Sequence, residues 1–364
     1  MTRIRVGLIG LGEVAQLIHL PVLHRLHDLF EVTALCDVSP SVLAKVAARW
    51  NVDRLYSSLN AMVDDDGVDA VFILSPDQHH FEHATTALEG GKHVFIEKPA
   101  CLTRTDVEQL ERTARQAARV AMVGYMRRFA PAFLEAKRRL DKLEKLSYVR
   151  VQDQFCEGPW YFRQTSDVVY PNGDIPTDVA TASKKLRHDM MMSVCGEAAS
   201  PAHLLAYEYL TGVSSHSFSA MRDLLGSVPR SVTGAQMSPH GDQLTVTFDY
   251  GDYGVVYEYL IDDLARFDAG IDLYARRQRL RLRYATPYIR DLPMKLEIQE
   301  STDDSNTWTV LGPFHKDPFD AELEAFHASI VKGEENRTPP SDSLADFVII
   351  EEIIANVKAV GSRA

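Results

Sequence analysis

"VGLIGLGEVA", residues 6–15, decides the fold. A short apolar run stops at Gly10, a second glycine follows at Gly12, and a small residue, Ala15, comes three positions later. A first glycine permits a tight strand-to-helix turn, and a second lets the backbone approach a pyrophosphate. A small third residue lets helix and strand pack closely. The helix that begins there turns its N-terminus toward the phosphates. The run "EVTALC" further on leads directly into Asp37, an acid at the distance expected for holding a ribose 2′-hydroxyl. Asp37 would repel a 2′-phosphate, and "DVSPS" places no Lys or Arg directly after it, so NAD is favoured over NADP.

Working outward, "IRVGLI", "EVTALC", "DAVFIL", "HVFI" and "VAMVG" are continuous apolar runs of strand length, as parallel strands buried on both faces require. The segments between them carry apolar residues at helical spacing. Strand alternating with helix predicts an α/β fold, a doubly wound Rossmann-type parallel sheet over residues 1–125. Beyond Tyr125 the texture changes. "SYVRVQDQF", "LTVTFDY" and "GVVYEYLI" read as strands, and in the second of these Leu244, Val246, Phe248 and Tyr250 alternate with more polar residues. That period belongs to a sheet with one solvated face. Residues 126–364 are therefore expected to form an α+β domain with an open, largely antiparallel sheet that binds substrate and joins subunits into a homodimer or homotetramer. "ARRQRLRLRY" alternates Arg with apolar residues and reads as a half-exposed strand, while 157–200 is the least regular stretch and is expected to be a lid or loop insertion.

The chain has 364 residues, 45% apolar and 25% charged, with a formal net charge of −12. That acidity argues against a nucleic-acid or membrane-surface partner. No run of eighteen apolar residues occurs, and the N-terminus opens directly into "RIRVGLIG", so a cytoplasmic protein is expected. Cys36, Cys101, Cys156 and Cys195 form no CxxC pair and are read as buried reduced thiols. His79 and His83 in "HHFEH" are four apart on a helix, but no third ligand is indicated. No metal site is expected, and these two imidazoles are expected in solvent, with His80 near the cofactor or the fold.

"SPDQHHFEHATTALEGGKHVFIEKPA" and "VGYMRRFAPAF" resemble the Gfo/Idh/MocA family of oxidoreductases, as do His19 and Pro21 in the first helix. The family pattern has an SP or TP turn after the third strand, here Ser75 and Pro76, a His four residues beyond the proline, here His80, and an EKP signature, here Glu97, Lys98 and Pro99. The resemblance is close over the first 135 residues and looser to the C-terminus. It implies cofactor contacts by Glu13, Val14, Ser75, Pro76, His80, Glu97, Lys98 and Arg128, in addition to Gly10, Gly12 and Asp37. It also implies that Lys98 meets the substrate hydroxyl and the nicotinamide. An ammonium there stabilises the alkoxide character that develops as hydride leaves a carbinol carbon.

Oxidising an alcohol also needs a proton acceptor, and His suits that near neutral pH. "TGVSSHSFSAMRDLLGSVPRSV" resembles the family's second-domain helix, and its "LLGxxP" ending brings His216 to the catalytic position. Gly212 stands where many members carry Asp, and Ser214 where glycine is usual. Asp189, Glu208 or Asp223 could replace the missing carboxylate. Trp160, His188 and Asp189 are candidate substrate contacts in the irregular stretch. The function implied is reversible NAD-dependent oxidation of a secondary hydroxyl of a sugar, glycoside or cyclic polyol. The alternatives are a redox-neutral NAD-dependent glycoside hydrolase and a non-catalytic dinucleotide-binding regulator.

Overall fold

The computed structural model describes residues 2–140, 142, 143, 145–156, 158 and 160–359. The chain forms two compact units. One comprises Met1–Gly124, Thr165–Met191 and Phe319–Leu344, and the other Tyr125–Gln164, Met192–Pro318 and Ala345–Ala364. A single boundary at 125 is expected from the sequence; two later segments instead return to the first unit.

The first unit is built on a six-stranded sheet. Its strands are β1 (Ile4–Ile9), β2 (Phe30–Cys36), β3 (Arg54–Tyr56), β4 (Ala70–Ile73), β5 (His93–Ile96) and β6 (Ala121–Val123), in the spatial order β3-β2-β1-β4-β5-β6. Every pairing is parallel. All four residues of β4 are buried, and so are Val6, Leu8 and Ile9 of β1, which is why these runs are continuously apolar. The order in which strands are added to the sheet reverses between β1 and β4, the crevice where open α/β sheets take ligands. Behind it, Phe72 and Phe95 stack at 5.0 Å, and Phe326 from the helix Pro318–Lys332 meets both edge-on.

The second unit carries nine strands: β7 (Leu146–Cys156), β8 (Ser231–Met237), β9 (Gln243–Asp249), β10 (Gly254–Asp262), β11 (Phe267–Ala275), β12 (Gln278–Tyr284), β13 (Met294–Ser301), β14 (Asn306–Phe314) and β15 (Val357–Ala359). Their order is β14-β13-β12-β11-β7-β10-β9-β8-β15. The pairing is antiparallel except at β7–β10 and β8–β15. Along β9, Leu244, Val246 and Phe248 are buried while Thr245 and Thr247 are half-buried, the alternation of a sheet covered on one face. In β12, Leu280, Leu282 and Tyr284 point inward, and the intervening arginines find a shared counter-charge. Buried Asp272 lies 2.8 Å from Arg279, 3.5 Å from Arg281 and 2.7 Å from Arg283.

The stretch 157–200 is more ordered than the sequence suggests. A helix spans Thr177–Cys195, preceded by one turn at Trp160–Arg163. The longer helix buries only Met191, so it has no apolar stripe from which a 3.6-residue period could be read. The aromatic segment 157–163 falls partly outside the described residues.

Candidate active and dinucleotide site

At the end of β1 the backbone of Gly10 has φ +85°, and a Cβ there would lie 2.5 Å from the Ser75 backbone nitrogen. Only glycine makes this turn against the end of β4 without strain. At Gly12 a Cβ would meet nothing within 4 Å, which leaves the helix start open to a phosphate. The helix that follows contains a π-turn at Ala15–His19, a feature frequent at functional sites.

Asp37 sits at the end of β2. Its Oδ2 accepts from the Leu11 N–H at 2.8 Å, and its Oδ1 accepts from the Ser39 N–H at 2.8 Å. The acid is thereby fixed to the glycine turn. A cavity of about 580 Å³ opens beside it, lined by Gly10, Asp37, Ser75 and Pro76 among others, a fit for the adenosine end of a dinucleotide. Cys36 also lines this cavity, and burial pushes its thiol up to about 12, so it behaves as an apolar wall. Cys101 and Cys156 are also buried, and Cys195 is partly so; all four are free thiols.

His79 and His83 are not in solvent. They stack at 5.5 Å, His79 Nε2 lies 2.8 Å from Ser183 Oγ, and His83 Nδ1 lies 2.8 Å from Ser75 Oγ. Both line the cavity, and burial lowers both, His83 to about 4, so these imidazoles are neutral near pH 7. The physical reason is the returning segment 165–191, whose Val179, Ala180 and Ser183 cover them. That covering has no signal in the HHFEH motif itself.

His80 is buried, with Nδ1 2.7 Å from the Pro99 carbonyl oxygen and Nε2 2.7 Å from the Ser75 carbonyl oxygen. It ties the Ser75–Pro76 turn to the turn after β5. In that second turn Glu97 is buried, with Oε1 2.7 Å from His19 Nε2, and its Oε2 accepts from the Lys98 N–H at 3.1 Å. Burial works to raise the Glu97 carboxyl, but hydrogen bonding to His19 and the His19 and Lys98 charges outweigh it and hold the group below the usual range. Lys98 follows this buried anchor at the C-terminal end of β5, half-buried. Glu13, which the resemblance assigns to the cofactor, accepts from Tyr170 Oη at 2.8 Å, while Val14 is the residue immediately before the π-turn.

In the second unit, His216 lies on the helix Ser215–Leu225, half-buried. A π-turn, Leu210–Ser214, precedes it and contains Gly212. A Cβ at Gly212 would meet nothing within 4 Å. Ser214 lies 2.5 Å from Tyr257 Oη, which in turn donates to Asp153 at 3.0 Å. Arg127 donates to Asp153 at 3.1 Å and to Ser217 at 2.6 Å, so a fully buried ion pair fixes the helix on both sides of His216. Arg128 donates to Asp223 at 3.1 Å and Lys137 also approaches that carboxylate, so Asp223 is held within this unit by two cations.

The remaining substrate candidates are dispersed. Trp160 is 44% exposed; His188 and Asp189 are exposed on the helix Thr177–Cys195, where Asp189 accepts from Lys185. Sequence reasoning missed Ser39, Ser41, Asp174 and Ser183, because polar contacts between segments more than a hundred residues apart leave no periodicity.

Among the described residues, no helix is long and apolar enough to cross a membrane. Residues 4–125 match the model of the oxidoreductase family described as an NAD-binding Rossmann fold. The chain is similar to D-glucoside 3-dehydrogenase of Escherichia coli, 33% identical over 127 residues, which is 35% of this chain and 36% of that protein. It is also similar to myo-inositol 2-dehydrogenase of Thermotoga maritima, 31% identical over 133 residues, 36% of this chain and 39% of the relative. The chain thus spans little more than a third of the length of these curated relatives. A solved 3-ketoreductase from Actinomadura kijaniata, in complex with NADP and TDP-benzene, superimposes with TM-score 0.74 at 19% identity over 99% of both chains; at that identity the likeness speaks to the fold. Over residues 4–125, then, the chain carries the NAD-binding Rossmann fold of the Gfo/Idh/MocA oxidoreductase family.

Proposed function

We propose that the protein is an NAD-dependent dehydrogenase that oxidises a secondary hydroxyl of a sugar, glycoside or cyclic polyol, reversibly. The observation that carries the reading is the turn after β5, where Glu97 is locked to His19 and Lys98 follows the C-terminal end of a strand in the same parallel sheet as the glycine turn. When bound, NAD supplies the hydride acceptor. Lys98 places a positive charge where the substrate oxygen becomes anionic as hydride departs. His216 takes the hydroxyl proton, and the Arg127–Asp153 pair keeps its helix in place. Gly10, Gly12 and Asp37 hold the dinucleotide. His80 acts on the chemistry indirectly, by fixing Ser75 and Pro99 relative to each other. The names of the similar dehydrogenases favour a polyhydroxylated ring as substrate. The half-solvated second sheet is where a second copy of the chain would pack.

The test is NADH formation at 340 nm by wild-type and His216→Ala protein across inositols, aldoses, anhydrosugars and glycosides. NADH from one subclass, reduced at least 100-fold in the variant, is expected. Free sugar released from a glycoside without net NADH, or nucleotide binding without any turnover, would overturn the dehydrogenase reading.

A further inference from the structure

We propose that Asp174 makes this site selective against the 2′-phosphate of NADP by occupying, with its own carboxylate, the anion cradle beside Asp37. The inference rests on NAD being the cofactor.

The cradle is the start of the helix Pro40–Trp50, directly after β2. A helix N-terminus offers unpaired N–H groups and a partial positive charge, and it attracts an anion. Here Ser39 is the N-cap, and its hydroxyl accepts from the Val42 N–H at 3.3 Å. The same hydroxyl donates to Asp174 Oδ1 at 2.7 Å, and the Ser41 N–H donates to Asp174 Oδ2 at 2.7 Å. These bonds hold the Asp174 carboxyl down to about 2, so it is an anion throughout the physiological range.

Asp37, which precedes Ser39 by two residues, is the acid placed to hold the ribose hydroxyls. A 2′-phosphate on that ribose would project toward the nearest helix donors. In this chain those donors, on Ser39 and Ser41, are already used by the Asp174 carboxylate, with Asp37 as a second negative charge alongside. The phosphate would have to displace Asp174 and tolerate Asp37, which is discrimination by repulsion as well as by lost contacts.

Asp174 is held there by more than its own two bonds. Gln78 donates to Ser183 Oγ at 2.7 Å, and Arg187 pairs with Asp77 at 3.1 Å. The segment is thus anchored beyond the wall formed by Ile175 and Val179 as well as at Asp174. Lys184 also lines the cavity.

The test is titration calorimetry of NAD⁺ and NADP⁺ with wild-type, Asp174→Asn and Asp174→Ser protein, with AMP and 2′,5′-ADP as fragments. The Asn variant keeps the volume and one acceptor oxygen, so the segment stays seated. Its NADP⁺ and 2′,5′-ADP affinities are expected to rise about tenfold, with NAD⁺ and AMP changed less than threefold. The Ser variant is expected to show the same selective gain. An unchanged NADP⁺ affinity in the Asn variant, or wild-type protein that binds both dinucleotides equally, would overturn the proposal. Wild-type protein that binds neither would overturn the cofactor assignment beneath it.

Discussion

The two units differ in where their polar groups lie. In the first, strands such as β4 and β6 are dry on both faces and the polar chemistry is pushed to the loops at one end of the sheet, at Gly10, Asp37, Ser75 and Lys98. In the second, a buried charge network, Arg127, Asp153, Tyr257 and Ser214, runs through the interior beneath the helix that bears His216. A parallel sheet exports its function to its edge. The antiparallel sheet instead supports a candidate functional helix from inside, at the cost of desolvating ions.

That contrast can be broken by substitution. Arg127→Met leaves Asp153 buried without its cation, and burial already acts to raise that carboxyl. A loss of about 3–5 kcal/mol in stability is expected by urea denaturation. A loss below about 1 kcal/mol would mean that the network does not anchor the second unit.

The first unit should be most sensitive at its turn. Gly10→Ala forces a Cβ against the Ser75 backbone at positive φ, with an expected loss of about 2–4 kcal/mol together with weakened NAD binding. Wild-type stability and nucleotide affinity in that variant would contradict the assigned turn geometry.

A smaller effect should appear with pH. His83 titrates near 6.5 in the unfolded chain and at about 4 in the folded one. Its folded-state value is lowered, so its contribution is complete above pH 6.5 and is lost as pH falls toward 4, where the unfolded chain binds the extra proton. Denaturation midpoints at pH 7.5 and 4.5 should therefore differ less in His83→Gln than in the wild type, by roughly 2 kcal/mol of unfolding free energy. An identical difference in the two proteins would put His83 in solvent.

The contrast also governs what could be read from sequence alone. Continuous apolar runs such as "DAVFIL" and the Gly10–Gly12 spacing each report a local physical demand, and five of the six parallel strands followed from them; the sixth, β3, is short and largely exposed and carries no such run. The alternation in β9 likewise revealed the one-sided sheet. The helix Thr177–Cys195 was hidden because it buries a single methionine. The Asp174–Ser41 and Ser183–His79 contacts were hidden because each is a polar pairing across more than a hundred residues, with no pattern on either side. Segments that return to a distant unit through polar side chains are the part of such a chain that periodicity does not encode.

The central claim is that the first unit holds NAD through its glycine turn and Asp37, while Lys98 acts on the reacting oxygen. NAD⁺ affinity and turnover measured on the same preparation of Lys98→Ala separate the two roles. The account predicts an NAD⁺ Kd within about threefold of wild type and turnover reduced by about 10³. Turnover equal to wild type would remove Lys98 from the chemistry and contradict the account.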